Sequence, residues 1–347
     1  MKALNLISLI ILVTQLVACG ERDPSISLLP EQIRFIQNST KLNAKVDILW
    51  VMDNSGSMQT SQQNVADNFN VFINDFVTKG YDYRIAVTGT DAYRSLYQNN
   101  LSLSKFRDGN GTTHSNVFVI YPNTPNLIPT FMTNILLGTS GSGDERMFQS
   151  FHQSLINPLN SGFLRSDSHL AVVMVTDEDD FSRNHSASNN HNYADALMYP
   201  VNTYVSFLES FTNSSGANAR FTTHAIAIFD DACKTFLNSS GAGRIIAQRV
   251  GQLVDATDGV KSSLCDDFAG SLGAISQSIL ENSSEFFLDR EPNVDTIFVR
   301  VNSAVVPNSA TNGWTYNAAS NSIRFHNGAV PAQGAEIVID FDPATIK

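Results

Sequence analysis

The residues of this chain that are best suited to chemistry lie in one short segment, Asp53-Asn54-Ser55-Gly56-Ser57. The segment offers a carboxylate and two hydroxyls at alternate positions, and its glycine allows a tight backbone turn. Three oxygen donors from one turn suit a hard divalent cation such as Mg²⁺, whereas zinc would favour histidine or cysteine. The segment therefore predicts a cation site. A turn that only caps the following helix is the alternative.

The elements on either side of this segment would place it at the edge of a sheet. Residues 46–52 form a nearly unbroken apolar run, which is typical of a strand buried on both faces of a parallel sheet. The residues after the segment carry the apolar stripe of an amphipathic helix: Val65, Phe69, Phe72, Ile73 and Phe76. In open α/β sheets, ligands bind at such strand-to-helix turns, beyond the carboxyl ends of the strands.

In this setting the segment resembles the metal-ion-dependent adhesion site (MIDAS) of the von Willebrand factor type A (VWA) family. The family pattern Asp-x-Ser-x-Ser is matched by Asp53, Ser55 and Ser57. The resemblance implies a doubly wound, mostly parallel sheet with helices on both faces. It also implies a bound Mg²⁺ or Mn²⁺ and two further ligands from other loops.

Those two ligands would come from the ends of later elements. The family supplies a threonine from a loop written TxTG, and Thr139 is the natural match. A shift of one residue aligns Ser140 instead, so both remain open. The family's last ligand is an aspartate at the end of a central strand, and Asp177 follows the apolar run at 169–176.

The rest of the chain divides into two patterns. Apolar runs and helical stripes alternate up to about residue 284, which predicts an α/β domain over 31–284. From residue 285 onward, apolar residues alternate with period two between turn signals such as Asn312-Gly313. The segment 285–347 is therefore expected to be a small all-β module.

The amino terminus has the pattern of an exported, lipid-anchored protein. Residues 1–18 read as a signal peptide, because an apolar stretch too short to span a bilayer follows Lys2. The sequence Leu16-Val17-Ala18-Cys19 resembles a bacterial lipobox, which implies cleavage before Cys19 and acylation of its thiol. Gly20 after the cysteine favours the outer membrane of a Gram-negative bacterium. Residues 19–30 would be a tether. An ordinary signal peptide or an uncleaved anchor is the alternative.

Cysteine content and charge are consistent with export. Apart from Cys19, the chain has Cys233 and Cys265, which could pair in an oxidising compartment or remain as buried thiols. Aspartate and glutamate outnumber lysine and arginine by 33 to 22, which argues against binding to nucleic acid.

Other polar residues near the predicted site are not expected to be metal ligands. Glu178-Asp179-Asp180 would be solvated charges of the rim or charges that favour a helix N-terminus. His185 and His191 lack a carboxylate or thiol framework, so they are expected to be surface residues and not a zinc pair. The polar insertion 92–115 would overhang the metal and either select the partner or serve as a tolerated loop.

Together these patterns predict a binding protein and no enzyme. In the VWA family an open position on the cation accepts a carboxylate from a partner protein. The expected function is adhesion or complex assembly in the cell envelope. One alternative is a structural lipoprotein whose metal only stabilises the fold. A phosphotransfer enzyme using Asp53 is the other, although Ser55 stands where the haloacid-dehalogenase pattern has a second aspartate.

Overall fold

The computed structural model of this protein describes residues 35–36, 40–241 and 243–345. The strands that it contains are β1 Phe35–Ile36, β2 Thr40–Lys41, β3 Lys45–Met52, β4 Asp82–Gly89, β5 Val119–Ile120, β6 His169–Val175, β7 Phe221–Ala227, β8 Lys261–Ser263, β9 Phe286–Phe287, β10 Phe298–Val301, β11 Ala304–Val306, β12 Trp314–Asn317, β13 Ser322–Phe325 and β14 Glu336–Phe341. The α-helices are α1 Gln59–Thr78, α2 Arg94–Gln98, α3 Leu127–Ile135, α4 Met147–Ile156, α5 Val201–Thr212, α6 Asp231–Asn238, α7 Gln248–Ala256 and α8 Phe268–Ser283. The predicted signal peptide, the acylated Cys19 and the tether lie outside the described residues.

A six-stranded mixed sheet forms the centre of the larger part of the molecule. Its strand order is β5-β4-β3-β6-β7-β8, and every neighbouring pair is parallel except β4 with the short edge strand β5. In the register of the central pair, Met52 of β3 lies beside Val175 of β6. The residues that follow these two strands therefore emerge side by side at the same edge of the sheet.

Helices cover both faces of this sheet. Helices α1, α3, α6 and α8 share one apolar cluster with the side chains on one face of β3, including Ile48 and Trp50. Helices α4, α5 and α7 share a second cluster with the opposite face, including Leu49 and Val51. Because both faces of β3 are buried, the strand is apolar at almost every position, as the unbroken run predicted.

The carboxyl-terminal residues form two smaller antiparallel sheets. One has the order β1-β14-β10-β11, with β2 also paired to β14, and the other has the order β12-β13-β9. The first sheet includes strands from before β3, so both ends of the described chain meet in it. The division between residues 284 and 285 stays a prediction. Val299 and Phe325 belong to the same apolar cluster as α1 and α8, which means that the small sheets pack on the larger sheet's helical layer.

The structure adds elements that the sequence patterns did not indicate, notably helices α3 and α6. Cys233 in α6 and Cys265 after β8 form a disulfide with a Cα–Cα distance of 5.7 Å. Within the described residues, no helix combines the length and the apolar character needed to span a bilayer.

Candidate metal centre

The loop between β3 and α1 holds Asp53 in a fully buried position at the edge of the sheet. The amide of Asp53 still donates to the carbonyl of Val175, at 3.0 Å, and therefore continues the pairing of β3 with β6. The backbone then turns, and the amide of Ser55 donates to Oδ1 of Asp53 at 2.8 Å. The hydroxyls of Ser55 and Ser57 lie 3.3 Å apart. The loop thus gathers the carboxylate and both hydroxyls on a short stretch of chain.

The Asp53 carboxylate is oriented by one hydrogen bond to each oxygen. Oδ2 accepts from the hydroxyl of Thr176 at 2.9 Å, and Oδ1 accepts from the Ser55 amide. A carboxylate oxygen has two lone pairs, so each retains the capacity to accept a further donor or to bind a cation.

Asp177 lies one residue beyond Thr176 and is also buried, with 2% of its surface exposed. Its Oδ2 accepts from Nε of Arg244 at 2.8 Å, whereas its Oδ1 has no hydrogen-bond partner. Burial, followed by the negative charge of Asp177, raises the pKa of Asp53 to about 7. The negative charge of Asp177 therefore acts on the Asp53 carboxylate, as it would if a cation lay between the two acids.

Hydrogen bonds join the segment around Thr139 directly to the Asp53 loop. The amide of Gly141 donates to the carbonyl of Asn54 at 2.8 Å, and the Gln62 side chain donates to the carbonyls of Asp53 and Gly138, both at 2.9 Å. A Cβ atom on Gly141 would lie 2.5 Å from the Asn54 carbonyl, so the close approach requires glycine. Thr139 is half-buried here and Ser140 is exposed. Their assignment as ligands stays a prediction.

Glu145 is an acid of this region that the sequence patterns did not single out. Its side chain is fully buried, and neither carboxylate oxygen has a hydrogen-bond partner. Burial, followed by the charge of Asp53, raises the pKa of Glu145 well above its ordinary value. The only sequence signal was an acid just before the apolar stripe of α4.

The acidic run after Asp177 is buried, so the expectation of solvated rim charges was wrong. Asp179 accepts from the amides of Arg249 and Val250, at 3.0 and 3.1 Å, in the first turn of α7. Asp180 accepts from the amide of Phe148, at 2.9 Å, in the first turn of α4. Both acids therefore accept hydrogen bonds at helix N-termini, as the alternative prediction had it. The helices concerned are distant in sequence from the acids.

The two histidines have different partners. His185 is exposed, and its carbonyl accepts from Arg146 at 2.6 Å. His191 instead contacts Glu178, with 2.8 Å between Nε2 and Oε2.

The insertion 92–115 is partly packed, because Tyr93 is buried and its hydroxyl donates to Oδ2 of Asp144 at 3.1 Å. Its role in selecting a partner stays a prediction.

The donors at the edge of the sheet fit a hard cation. They are carboxylate and hydroxyl oxygens, and Asp177 Oδ1 is a buried acceptor that lacks a donor. Within the part of the chain that the structure describes, no three side chains of histidine, cysteine, aspartate or glutamate form a direct binding group of their own. A site here would therefore depend on its hydroxyls and on water as well as on its acids.

Comparisons with known proteins do not identify a family for this chain. No family model matches it, and no curated protein does. Among solved structures it is similar to the pilus adhesin SpaC from Lactobacillus rhamnosus GG in its open conformation, with 12% identity and a TM-score of 0.45 over 89% of this chain and 40% of that one. It is also similar to the pilus adhesin RrgA from Streptococcus pneumoniae, with 9% identity and a TM-score of 0.30 over 89% of this chain and 58% of that one.

A third similar structure is proximal thread matrix protein 1 from the mussel byssus with a zinc-occupied MIDAS motif. It shares 12% identity and has a TM-score of 0.36 over 72% of this chain and 50% of that one. This chain thus spans about two fifths to three fifths of the length of these proteins. With all three TM-scores below 0.5, nothing about function follows from these similarities.

Proposed function

We propose that this protein is a VWA-type binding protein of the cell envelope that uses Mg²⁺ or Mn²⁺ to engage a carboxylate of a partner protein. The ligands would be Asp53, Ser55, Ser57, Thr139 and Asp177, with Ser140 as the alternative to Thr139. The proposal rests on the sequence pattern and on the geometry of the described site.

The observation that carries the proposal is the convergence of Asp53 and Asp177 at the ends of two adjacent parallel strands. Both are buried, the charge of Asp177 raises the pKa of Asp53, and Oδ1 of Asp177 has no donor. Two buried acids near each other are unfavourable unless a positive charge or a proton compensates them. Arg244 compensates only one oxygen of Asp177.

The residues of the chain would each have a defined task in binding. The Ser55 amide and the Thr176 hydroxyl hold the Asp53 carboxylate in one orientation. The hydroxyls of Ser55 and Ser57, 3.3 Å apart, would add neutral oxygens beside it. A bound cation would supply a coordination position for the partner's carboxylate. Ser57 is exposed, so the partner would approach from the side of that residue.

Location is proposed from the sequence alone. Cys19 would carry the lipid that anchors the protein to the envelope, by the resemblance of Leu16-Val17-Ala18-Cys19 to a lipobox, with the outer membrane favoured by Gly20. The formal net charge of −11 favours a protein partner over nucleic acid. We propose binding and not catalysis.

Affinity capture tests the proposal. The full-length chain is immobilised and exposed to envelope extracts in Mg²⁺ or in EDTA, beside the variants Asp53→Asn and Asp231→Asn. Asp231 is an exposed acid in the first turn of α6, so its variant controls for the loss of one charge. We expect a specific partner to be retained by the wild type and by Asp231→Asn in Mg²⁺ only, and to be lost with Asp53→Asn.

The other outcomes favour the rival functions. Capture that persists in EDTA and with Asp53→Asn would exclude metal-bridged binding. A melting temperature that rises with Mg²⁺, without any partner, would favour a structural metal. Hydrolysis of phosphate esters that Asp53→Asn abolishes would favour the phosphotransfer enzyme.

A further inference from the structure

Glu145 is a buried acid whose carboxylate has no partner within the described residues. Its side chain is fully buried immediately before α4, and both Oε1 and Oε2 lack a hydrogen-bond donor. Its backbone is held in place, because its carbonyl accepts from the amide of Phe181 at 2.8 Å. The backbone of Glu145 is thus held beside the segment that follows β6.

Besides burial, the charges of three acids raise the pKa of Glu145. They are Asp53, Glu178 and Asp91, in order of decreasing effect. The Thr90 hydroxyl is also near, but it donates to Oδ1 of Asn54 at 3.1 Å. Glu145 therefore belongs to the same acidic group as the predicted metal ligand Asp53.

The nearest arginine in sequence is used elsewhere. Both Nε and Nη2 of Arg146 donate to Oδ2 of Asp144, at 3.1 and 2.8 Å. Its remaining bonds go to the carbonyls of His185 and Ala187, at 2.6 and 2.7 Å. Arg146 thus satisfies Asp144, the residue before Glu145, and leaves Glu145 without a partner.

An ionised carboxylate that is buried and unpaired is too costly to persist, so it must be protonated or compensated by a cation. Since the cation site proposed above lies beside Asp53, one ion there would compensate Glu145 as well. Glu145 does not join Asp53 and Asp177 in a direct three-acid binding group among the described residues. Mg²⁺ usually keeps several of its waters, and carboxylates that do not touch the ion can accept hydrogen bonds from those waters.

We propose that Glu145 is an outer-sphere carboxylate of the cation site, where it accepts hydrogen bonds from water bound to the ion and adds a third acidic charge to those of Asp53 and Asp177. The inference rests on the proposed function, because it needs an ion at that site. It assigns Glu145 a positioning role toward the ion's water and no contact with the partner protein.

Titration calorimetry of the metal-stripped full-length chain with MgCl₂ or MnCl₂ alone tests this role. The variants are Glu145→Gln, Glu145→Asp, Asp53→Asn and the surface control Asp231→Asn. Loss of an outer-shell partner weakens metal binding by about 10- to 100-fold, and we expect that change for Glu145→Gln. Glu145→Asp keeps the charge and should bind with intermediate affinity, whereas Asp231→Asn should bind like the wild type.

Thermal unfolding without metal separates this role from a purely structural one. Glu145→Gln removes a buried, unpaired acid, so its metal-free melting temperature should equal or exceed that of the wild type, while its increase on adding MnCl₂ should be smaller. A structural role would lower the metal-free melting temperature instead. Glu145→Leu supplies a second neutral variant if the glutamine variant does not fold.

Two results would overturn the inference in distinguishable ways. Wild-type affinity in Glu145→Gln, together with loss of binding in Asp53→Asn, would exclude a role for Glu145 and leave the proposed function intact. Absence of Mg²⁺ and Mn²⁺ binding by the wild type would exclude both the role of Glu145 and the proposed function.

Discussion

Arg244 donates a hydrogen bond of 2.8 Å from Nε to Oδ2 of Asp177. The second acid of the proposed metal site is therefore already paired through one oxygen, while its other oxygen has no partner. The guanidinium also donates to the carbonyls of Leu237 and Gly241, at 3.0 and 2.7 Å, which fixes it against the end of α6. A fixed positive charge beside the site should oppose the binding of a divalent cation.

Substitution Arg244→Gln should tighten binding of Mg²⁺ or Mn²⁺ by a factor on the order of ten, because it removes a nearby like charge. It should also lower the metal-free melting temperature, since Asp177 then becomes an unpaired buried acid. Titration calorimetry measures the first effect and thermal unfolding the second. Lys41→Gln, an exposed change in β2, is the control. Weaker metal binding would show that Arg244 orients Asp177 for the ion.

Substitution Thr176→Val should destabilise the protein by about 1 to 3 kcal/mol, because buried polar groups lose their partner. The Thr176 hydroxyl donates to Asp53 Oδ2 at 2.9 Å and accepts from the amide of Glu178 at 3.0 Å. Urea unfolding of the metal-free chain measures the effect, and Thr176→Ser, which keeps the hydroxyl, should lie near the wild type. Equal stability of all three would mean that the hydroxyl is dispensable.

The stability of the metal-free protein should fall as the pH rises from 6.5 to about 8.5. Burial and neighbouring acids raise the pKa of Asp53 to about 7 and that of Glu178 to about 8, above the values of 3.8 and 4.5 that apply on unfolding. The unfolded chain has released both protons by pH 6.5, whereas the folded chain releases them near pH 7 and pH 8, so rising pH favours unfolding until both acids are ionised. Saturating Mg²⁺ should reduce the slope, because it compensates the charged acids.

Melting temperatures at fixed ionic strength, with and without Mg²⁺, check this pH dependence. The window is set above pH 6.5 because His169 and His224 act in the opposite direction below it. Burial lowers the pKa of both histidines to about 3, so stability falls as the pH drops from 6.5 toward 3. Asp53→Asn should flatten the slope between pH 6.5 and about 7, where Asp53 of the folded wild type is still losing its proton. An unchanged slope in that variant would contradict a raised pKa of Asp53 as a source of the pH dependence.

Thr139→Ala and Ser140→Ala should differ in metal affinity, because only one of the two hydroxyls can take the proposed ligand position in this loop. We expect the larger loss for Thr139→Ala, since Thr139 is half-buried and Ser140 is exposed. Thr139→Ser should restore binding, because it keeps the hydroxyl. Calorimetry with MnCl₂ decides between them. A larger loss for Ser140→Ala would assign the position to Ser140.

Replacing Cys233 and Cys265 together by alanine should destabilise the protein by about 3 to 4 kcal/mol, since the bridge closes a loop of 32 residues. The free energy of unfolding is measured in urea, and reduction of the wild type should give a similar change. Metal affinity should be little affected, because the bridge joins α6 to the end of β8 and contributes no oxygen to the site. Equal stability with and without the bridge would contradict the expectation.

Several features could be predicted from the sequence because they are local. An apolar run, an oxygen-rich turn and an amphipathic stripe specify β3, the Asp53 loop and α1 within about thirty consecutive residues. The same reasoning predicted β6 and the position of Asp177 at its end. Period-two alternation predicted the carboxyl-terminal strands, since one face of each is buried.

Other features depend on contacts between distant segments, and no local pattern encodes them. In the sequence, Glu145 resembles any acid before a helix. In the structure, α4 packs against β3 and β4, and the segment after β6 bonds to the Glu145 backbone. Together these contacts bury Glu145 without a partner. Arg244 neutralises an acid 67 positions away, and Asp179 and Asp180 reach the N-termini of α7 and α4. The sequence by itself determined which oxygen-bearing residues follow β3 and β6. Only the tertiary structure decided which acids are compensated, because compensation depends on which side chains the fold brings together.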